Sequence, residues 1–235
     1  MPDIYAAFGA AFSLIVSLDA DLVEIVSLSL AVTLSAVAIS CLLGFPAGAF
    51  LAIVRFPGRG TVVVLISSLM GLPPVVVGLT VYLFLSSTGP LGSWQLLYTP
   101  TAMIIAQTLL VTPIIAALTR QIIEDLHGEY DELLRSMSAG RRATLTTLLW
   151  DARYSLITAA LAGMGRALAE VGAVMIVGGN INHVTRVMTT AIALETSKGE
   201  LALALGLGLV LVLLSVSINA ALMTLRAGME RLSYA

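Results

Sequence analysis

The chain has 235 residues, of which 58% are apolar and 11% charged, and its mean hydropathy is +1.00. Soluble domains average about 25% charged residues, so the composition points to an integral membrane protein and away from a soluble globular domain. The net charge of −2 gives no preference for nucleic acid, and the informative quantity is where the charges lie along the chain. The single cysteine, Cys41, excludes an internal disulfide. With only His127 and His183 for histidines, no Cys/His spacing for a metal site exists. Both histidines read as loop residues.

Residues 1–24 form an N-terminal segment. Its apolar part, Tyr5 to Leu18, is shorter than the roughly 20 residues that a bilayer crossing needs and lacks a signal peptide's basic start. It is expected as an interfacial helix, followed by Asp19, Asp21 and Glu24. Residues 25–235 form the membrane domain. A first crossing runs from Ile25 to Val54, interrupted by Gly44 and Pro46, with its end beyond Pro46 expected to bend or to project from the membrane. The second, Thr61 to Leu85, carries Pro73 and Pro74 near its middle. A double proline removes helical hydrogen bonds at depth, so it marks either a packing kink or a break that lines a pathway.

Gly89-Pro90-Leu91-Gly92 is a turn, and Trp94 and Tyr98 suit the membrane–water boundary. A third crossing is expected from Thr101 to Leu118, a fourth from Ser155 to Val177 and a fifth from Leu201 to Leu225. Loops on one side would hold Arg55, Arg59, Arg120, Arg135, Arg141, Arg142, Arg153, Arg226 and Arg231, against Arg186 and Lys198 on the other. The positive-inside rule then places the N-terminus outside and the C-terminus in the cytoplasm.

Between the third and fourth crossings, Leu133, Leu134 and Met137, then Leu145, Leu148 and Leu149, recur at helical spacing around Ser138-Ala139-Gly140. Two short amphipathic helices with a glycine break are expected over about 121–153, either lying on the membrane surface or docking a cytoplasmic partner. Arg166 and Glu170 stand four apart in the fourth crossing, a spacing that places them on one helical face. Charges at that depth are costly, and the pair serves either the pathway or dimer packing. The only lysine, Lys198, lies outside any GxxxxGK[ST], so any ATP is expected to be hydrolysed by another protein.

The loop resembles the coupling loop of ABC importer permeases, whose motif is Glu-Ala-Ala, three residues, then Gly. Gly140 matches the glycine, while Leu134-Arg135-Ser136 and Ala152-Arg153 replace the acidic triplet and the downstream Leu-Pro. The run Arg166-Ala167-Leu168-Ala169-Glu170-Val171-Gly172-Ala173, ending in Gly178-Gly179-Asn180, is similar to molybdate and tungstate permeases. Gly89-Pro90-Leu91-Gly92, Tyr98 to Gln107 and Thr189 to Thr196 are most similar to the tungstate branch.

The resemblance covers nearly the whole chain and implies an all-α, type I importer fold of about five transmembrane helices with a cytoplasmic coupling helix. It also implies a homodimer in a prokaryotic cell membrane, two ATPase subunits below and an extracytoplasmic oxyanion-binding protein above. ATP and Mg would sit on the ATPase, and this chain would hold no cofactor or metal and be no enzyme. Glu132, Arg135, Gly140 and Arg141 are the expected coupling residues, with Gly140 ending a docking helix from Asp131 to Ala139 through a positive φ. Arg166, Glu170, Pro73, Pro74 and Asn180 are the expected pathway or dimer-interface residues. Tungstate, molybdate and a sulfate-like anion all remain compatible. A secondary transporter would call for inverted repeats and paired intramembrane carboxylates, and an intramembrane enzyme for a Ser/His or paired-Asp site; the chain offers neither.

Overall fold

A computed structural model describes residues 8–9, 12–13, 15–17 and 19–233. Half of the expected interfacial helix, Tyr5 to Leu18, lies outside the described residues. Those described from residue 19 onwards form nine α-helices and no strand. They are α1 (Ala20–Ile53), α2 (Arg59–Leu69), α3 (Pro74–Leu85), α4 (Pro100–Ser136), α5 (Arg141–Asp151), α6 (Arg153–Leu168), α7 (Gly172–Gly178), α8 (Met188–Lys198) and α9 (Leu201–Ser233). Three stretches are long and apolar enough to cross a bilayer alone, Ala20–Ile53, Pro100–Ser136 and Leu201–Ala221, and the number rises to five if two broken pairs, α2 with α3 and α6 with α7, each count as one span.

The helix boundaries have local causes. Asp19 accepts the N–H groups of Asp21 and Leu22 at 3.1 and 3.2 Å, which satisfies donors that the first turn of α1 leaves free. Proline starts α3 and α4, at the position where its missing N–H costs nothing. Gly179 (φ 71°) and Gly199 (φ 84°) close α7 and α8 in the left-handed region, which a side chain would disfavour.

The chain divides into two compact units. The first comprises Met1–Ala36, Pro73–Gln107 and Ala167–Asn219; the second comprises Val37–Leu72, Thr108–Arg166 and Ala220–Ala235. In the first, Leu22, Ile25, Met188, Ala191 and Leu207 form a buried cluster that ties α1 and α8 to α9. In the second, Ala49, Ile123, Leu148, Ala152 and Leu156 tie α1, α4, α5 and α6. Small residues bring the second unit's backbones together, as is usual where helices pack without a hydrophobic driving force. A methyl group on Gly44 would lie 2.8 Å from Ile115 Cγ2, one on Gly48 2.7 Å from Thr119 Cβ and one on Gly163 2.9 Å from Ile115 Cδ1.

Four expectations need correction. The third crossing does not stop near Leu118, because α4 continues unbroken to Ser136. Its 37 residues, at about 1.5 Å each, span roughly 55 Å, well beyond a hydrocarbon core of about 30 Å. The first amphipathic segment is therefore the projecting end of a crossing. Pairs at i,i+4 spacing, Arg120 with Glu124 and Asp131 with Arg135, support it there. His127 accordingly lies within a helix and not in a loop. The fourth crossing is broken: α6 ends at Leu168, so Glu170 lies beyond the helix that carries Arg166. Finally, α8 is a separate short helix that periodicity did not reveal.

Candidate translocation and coupling sites

In the first unit the two short helices α3 and α7 pack directly on each other. A methyl on Gly78 would fall 2.7 Å from Ala173 Cα and 3.1 Å from its carbonyl oxygen, and one on Gly172 would fall 3.0 Å from Val75 Cγ2. Each helix begins at a break. Pro73, in extended conformation (φ −62°, ψ 126°), and Pro74 start α3. At α7 the signal is Glu170, a residue 2% exposed, whose Oε1 accepts the Ala173 N–H at 2.9 Å. A carboxylate satisfies a first-turn donor and complements the positive end of the helix, which gives the backbone an alternative to continuing α6.

The break is held from both sides. Thr189 Oγ1 donates to the Glu170 carbonyl at 2.7 Å, and Gln107 Nε2 donates to the Ala167 carbonyl at 3.3 Å. Beyond α7, Asn180 (φ 49°) is buried and exchanges two bonds with Thr190: its Nδ2 donates to the Thr190 carbonyl, while Thr190 Oγ1 donates to Asn180 Oδ1 at 2.9 Å. Thr185 Oγ1 takes the Ile181 N–H at 3.0 Å and donates to the Gly178 carbonyl at 2.5 Å. Several polar groups that would be expensive in hydrocarbon are thus paired with one another, although Gln107 Oε1 is buried without a hydrogen-bond partner.

The same unit has three ion contacts among the described residues. His183 Nδ1 lies 2.7 Å from Glu24 Oε2, and this bond, together with the Glu24 charge, raises the His183 pKa above its ordinary value. Buried Glu195 accepts Lys198 Nζ at 2.9 Å and has Arg186 Nη1 at 3.8 Å.

In the second unit, Glu132, Arg135, Gly140 and Arg141 are all exposed around the α4–α5 turn. Arg135 is engaged by Asp131, with Nε–Oδ1 and Nη2–Oδ2 both 2.9 Å. Leu133 and Met137 stand beside them 57% and 71% exposed. The positive φ expected of Gly140 belongs instead to Ser138 (φ 49°); Gly140 has φ −71° and ψ 158°. The Ser138 N–H donates to the Arg135 carbonyl and the Ala139 N–H to the Leu134 carbonyl, both at 3.0 Å. This is the paired 5→2 and 6→1 helix stop that needs one left-handed residue, here Ser138. A methyl on Gly140 would meet nothing within 4 Å.

Pro73, Pro74, Glu170 and Asn180 thus share the first unit, whereas Arg166 belongs to the second. Sequence reasoning did not single out Gly78, and it used Ala173, Thr189 and Thr190 only within the runs that carry the family resemblance, with no role of their own. Only the glycine carried a signal, as a small residue four positions after a double proline. Around these breaks the described residues place no nucleophile beside a base, and the arrangement is two short helices packed on each other, each set off by a break from the helix before it.

Residues 44–231 match the family described as binding-protein-dependent transport system inner membrane component. The tungstate uptake system permease protein TupB of Peptoclostridium acidaminophilum is 41% identical over 226 residues, covering 96% of this chain and 99% of that protein. A probable anion ABC transporter permease protein of Haloferax volcanii is 42% identical over 187 residues, covering 77% of this chain and 80% of its own length. The sulfate transport system permease protein CysW of Escherichia coli K12 is 26% identical over 187 residues, covering 75% and 63%. The apolar spans, the two broken helices and these matches agree, and the chain belongs to the family of inner-membrane components of binding-protein-dependent transport systems, a permease and not an enzyme.

Proposed function

We propose that this chain is the permease of an ATP-driven importer of a tetrahedral oxyanion, tungstate. The observation that carries the substrate is the 41% identity to a tungstate uptake permease over almost the full length of both chains, against 26% for a sulfate permease. Two copies would form the pathway about a two-fold axis, since so few spans enclose little alone. The exposed apolar side chains Val76, Leu79 and Leu83 on one side of α3 support a partner there. An extracytoplasmic oxyanion-binding protein would deliver the anion, and the positive-inside bias supports an outer N-terminus and a cytoplasmic C-terminus.

On that orientation the α4–α5 turn faces a cytoplasmic ATPase. Leu133 and Met137 would supply apolar contact, and Glu132, Arg135 and Arg141 polar contact. Movement of the projecting end of α4 would then reach the α3–α7 pair and open the path beside Pro73, Pro74, Glu170 and Asn180, with Arg166 at the end of α6. Molybdate is a tetrahedral dianion of nearly the same size, so selection would rest with the binding protein. Uptake in cells lacking this chain and complemented with it, with molybdate and sulfate as competitors, tests the reading. Restored tungstate uptake resistant to excess sulfate is expected, and uptake of sulfate without tungstate would overturn it.

A further inference from the structure

The second unit carries two adjoining apolar grooves. One, of about 650 Å³, is walled by Pro46, Phe50, Phe56, Val62, Leu145 and Leu149, and the other, of about 400 Å³, by Phe45, Leu149, Leu156 and Ile157 with Arg153 at its edge. Leu149 is common to both. Apart from Arg153 the walls are entirely apolar, so they offer no hydrogen-bonding partner to the amides of a bound peptide. They suit hydrocarbon chains.

The edge has a different chemistry. The Arg153 guanidinium lies 4.8 Å from the Trp150 ring centre and 4.3 Å from that of Tyr154, and donates to the Trp150 carbonyl at 2.6 Å and to the Tyr154 hydroxyl at 3.0 Å. A guanidinium has five N–H groups, so these two bonds leave three. Trp150 is 68% exposed, and Trp, Tyr and Arg are the side chains that settle at the level of lipid head groups. Arg55, exposed directly before Phe56, lines a separate polar recess with Glu124 and Asp131.

The charges around the grooves are not equally neutralised. Arg59 and Arg120 share Glu124, and Arg135 holds Asp131. Among the described residues neither Arg153 nor Arg55 has a carboxylate partner. We propose that the grooves form a binding site for one anionic phospholipid, its phosphate taken by the free donors of Arg153 and its acyl chains lying either side of Leu149. A basic edge on an apolar recess between helices is the arrangement that retains such head groups.

The test is native mass spectrometry of the intact permease purified with its ATPase, with phosphatidylglycerol or phosphatidylcholine of identical chains added. Wild type should retain phosphatidylglycerol preferentially. Arg153→Ala should lower that retention about fivefold and leave phosphatidylcholine unchanged. Arg142→Ala, exposed but outside the grooves, should change neither. Leu149→Trp, filling the shared wall, should reduce both lipids at unchanged complex mass. Equal retention of the two lipids by wild type, or undiminished phosphatidylglycerol in Arg153→Ala, overturns the proposal. Loss of a subunit from Leu149→Trp also overturns it, because the grooves would then be a contact between chains.

Discussion

Gly78→Ala probes the α3–α7 contact with a single methyl group. That methyl would sit 2.7 Å from Ala173 Cα, where unstrained carbon contacts need about 3.5–4.0 Å, so the two helices must part by roughly 1 Å. Overpacking of this kind costs about 1–3 kcal/mol, equivalent to a fall in Tm of about 2–12 °C for a chain of this size. The atom met is backbone, so Ala173→Gly cannot relieve it and the double variant should be no better than Gly78→Ala. Thermal unfolding of the detergent-purified complex gives the stability, and oxyanion uptake gives the function. A variant with wild-type Tm and uptake would refute the contact, and rescue by Ala173→Gly would show that side chains rather than backbones meet there.

Other outcomes follow from the same geometry. Gly140 has φ −71° and ψ 158°, which suit a β-branched residue, so Gly140→Val should keep the ATPase bound and change stability by less than about 1 kcal/mol. Ser138 has φ 49°, and Ser138→Val should cost about 1–2 kcal/mol; co-purification and thermal unfolding of the two variants distinguish the positions. Glu170→Ala removes a charged acceptor from the Ala173 N–H and should cost about 1.5–3 kcal/mol, with Glu170→Gln milder because its amide oxygen still accepts; equal melting of both with wild type would contradict the capping role. The raised His183 pKa should place its titration midpoint, followed by NMR, above about 6.5, falling back toward it in Glu24→Gln. Because the folded-state pKa is raised, this contact contributes fully below the ordinary histidine value and is lost as pH rises through the raised one, so amide exchange in the loop around His183 should quicken across that window.

The spans were legible because uninterrupted apolar runs announce themselves, and Pro73-Pro74 announced the first break. The second break was hidden. Nothing in Ala169-Glu170-Val171-Gly172 forbids a helix, and the cause lies in one carboxylate turning back onto a backbone donor and in Thr189, nineteen residues on, fixing its carbonyl. The α4–α5 turn was placed correctly but explained by the wrong residue. Glycine is the usual left-handed stop, and here Ser138 takes that conformation two positions earlier. The reach of α4 was missed because the charged residues near Glu124 read as the start of a separate amphipathic helix, whereas they belong to the crossing helix itself, which continues to Ser136.

The central claim is that this chain conducts tungstate when a partner hydrolyses ATP. Proteoliposomes holding this permease with its ATPase, supplied with the cognate binding protein and labelled tungstate, measure it directly. Accumulation that requires both ATP and the binding protein is the predicted result. Tungstate entry at the same rate without ATP, or none with every component present, would contradict it.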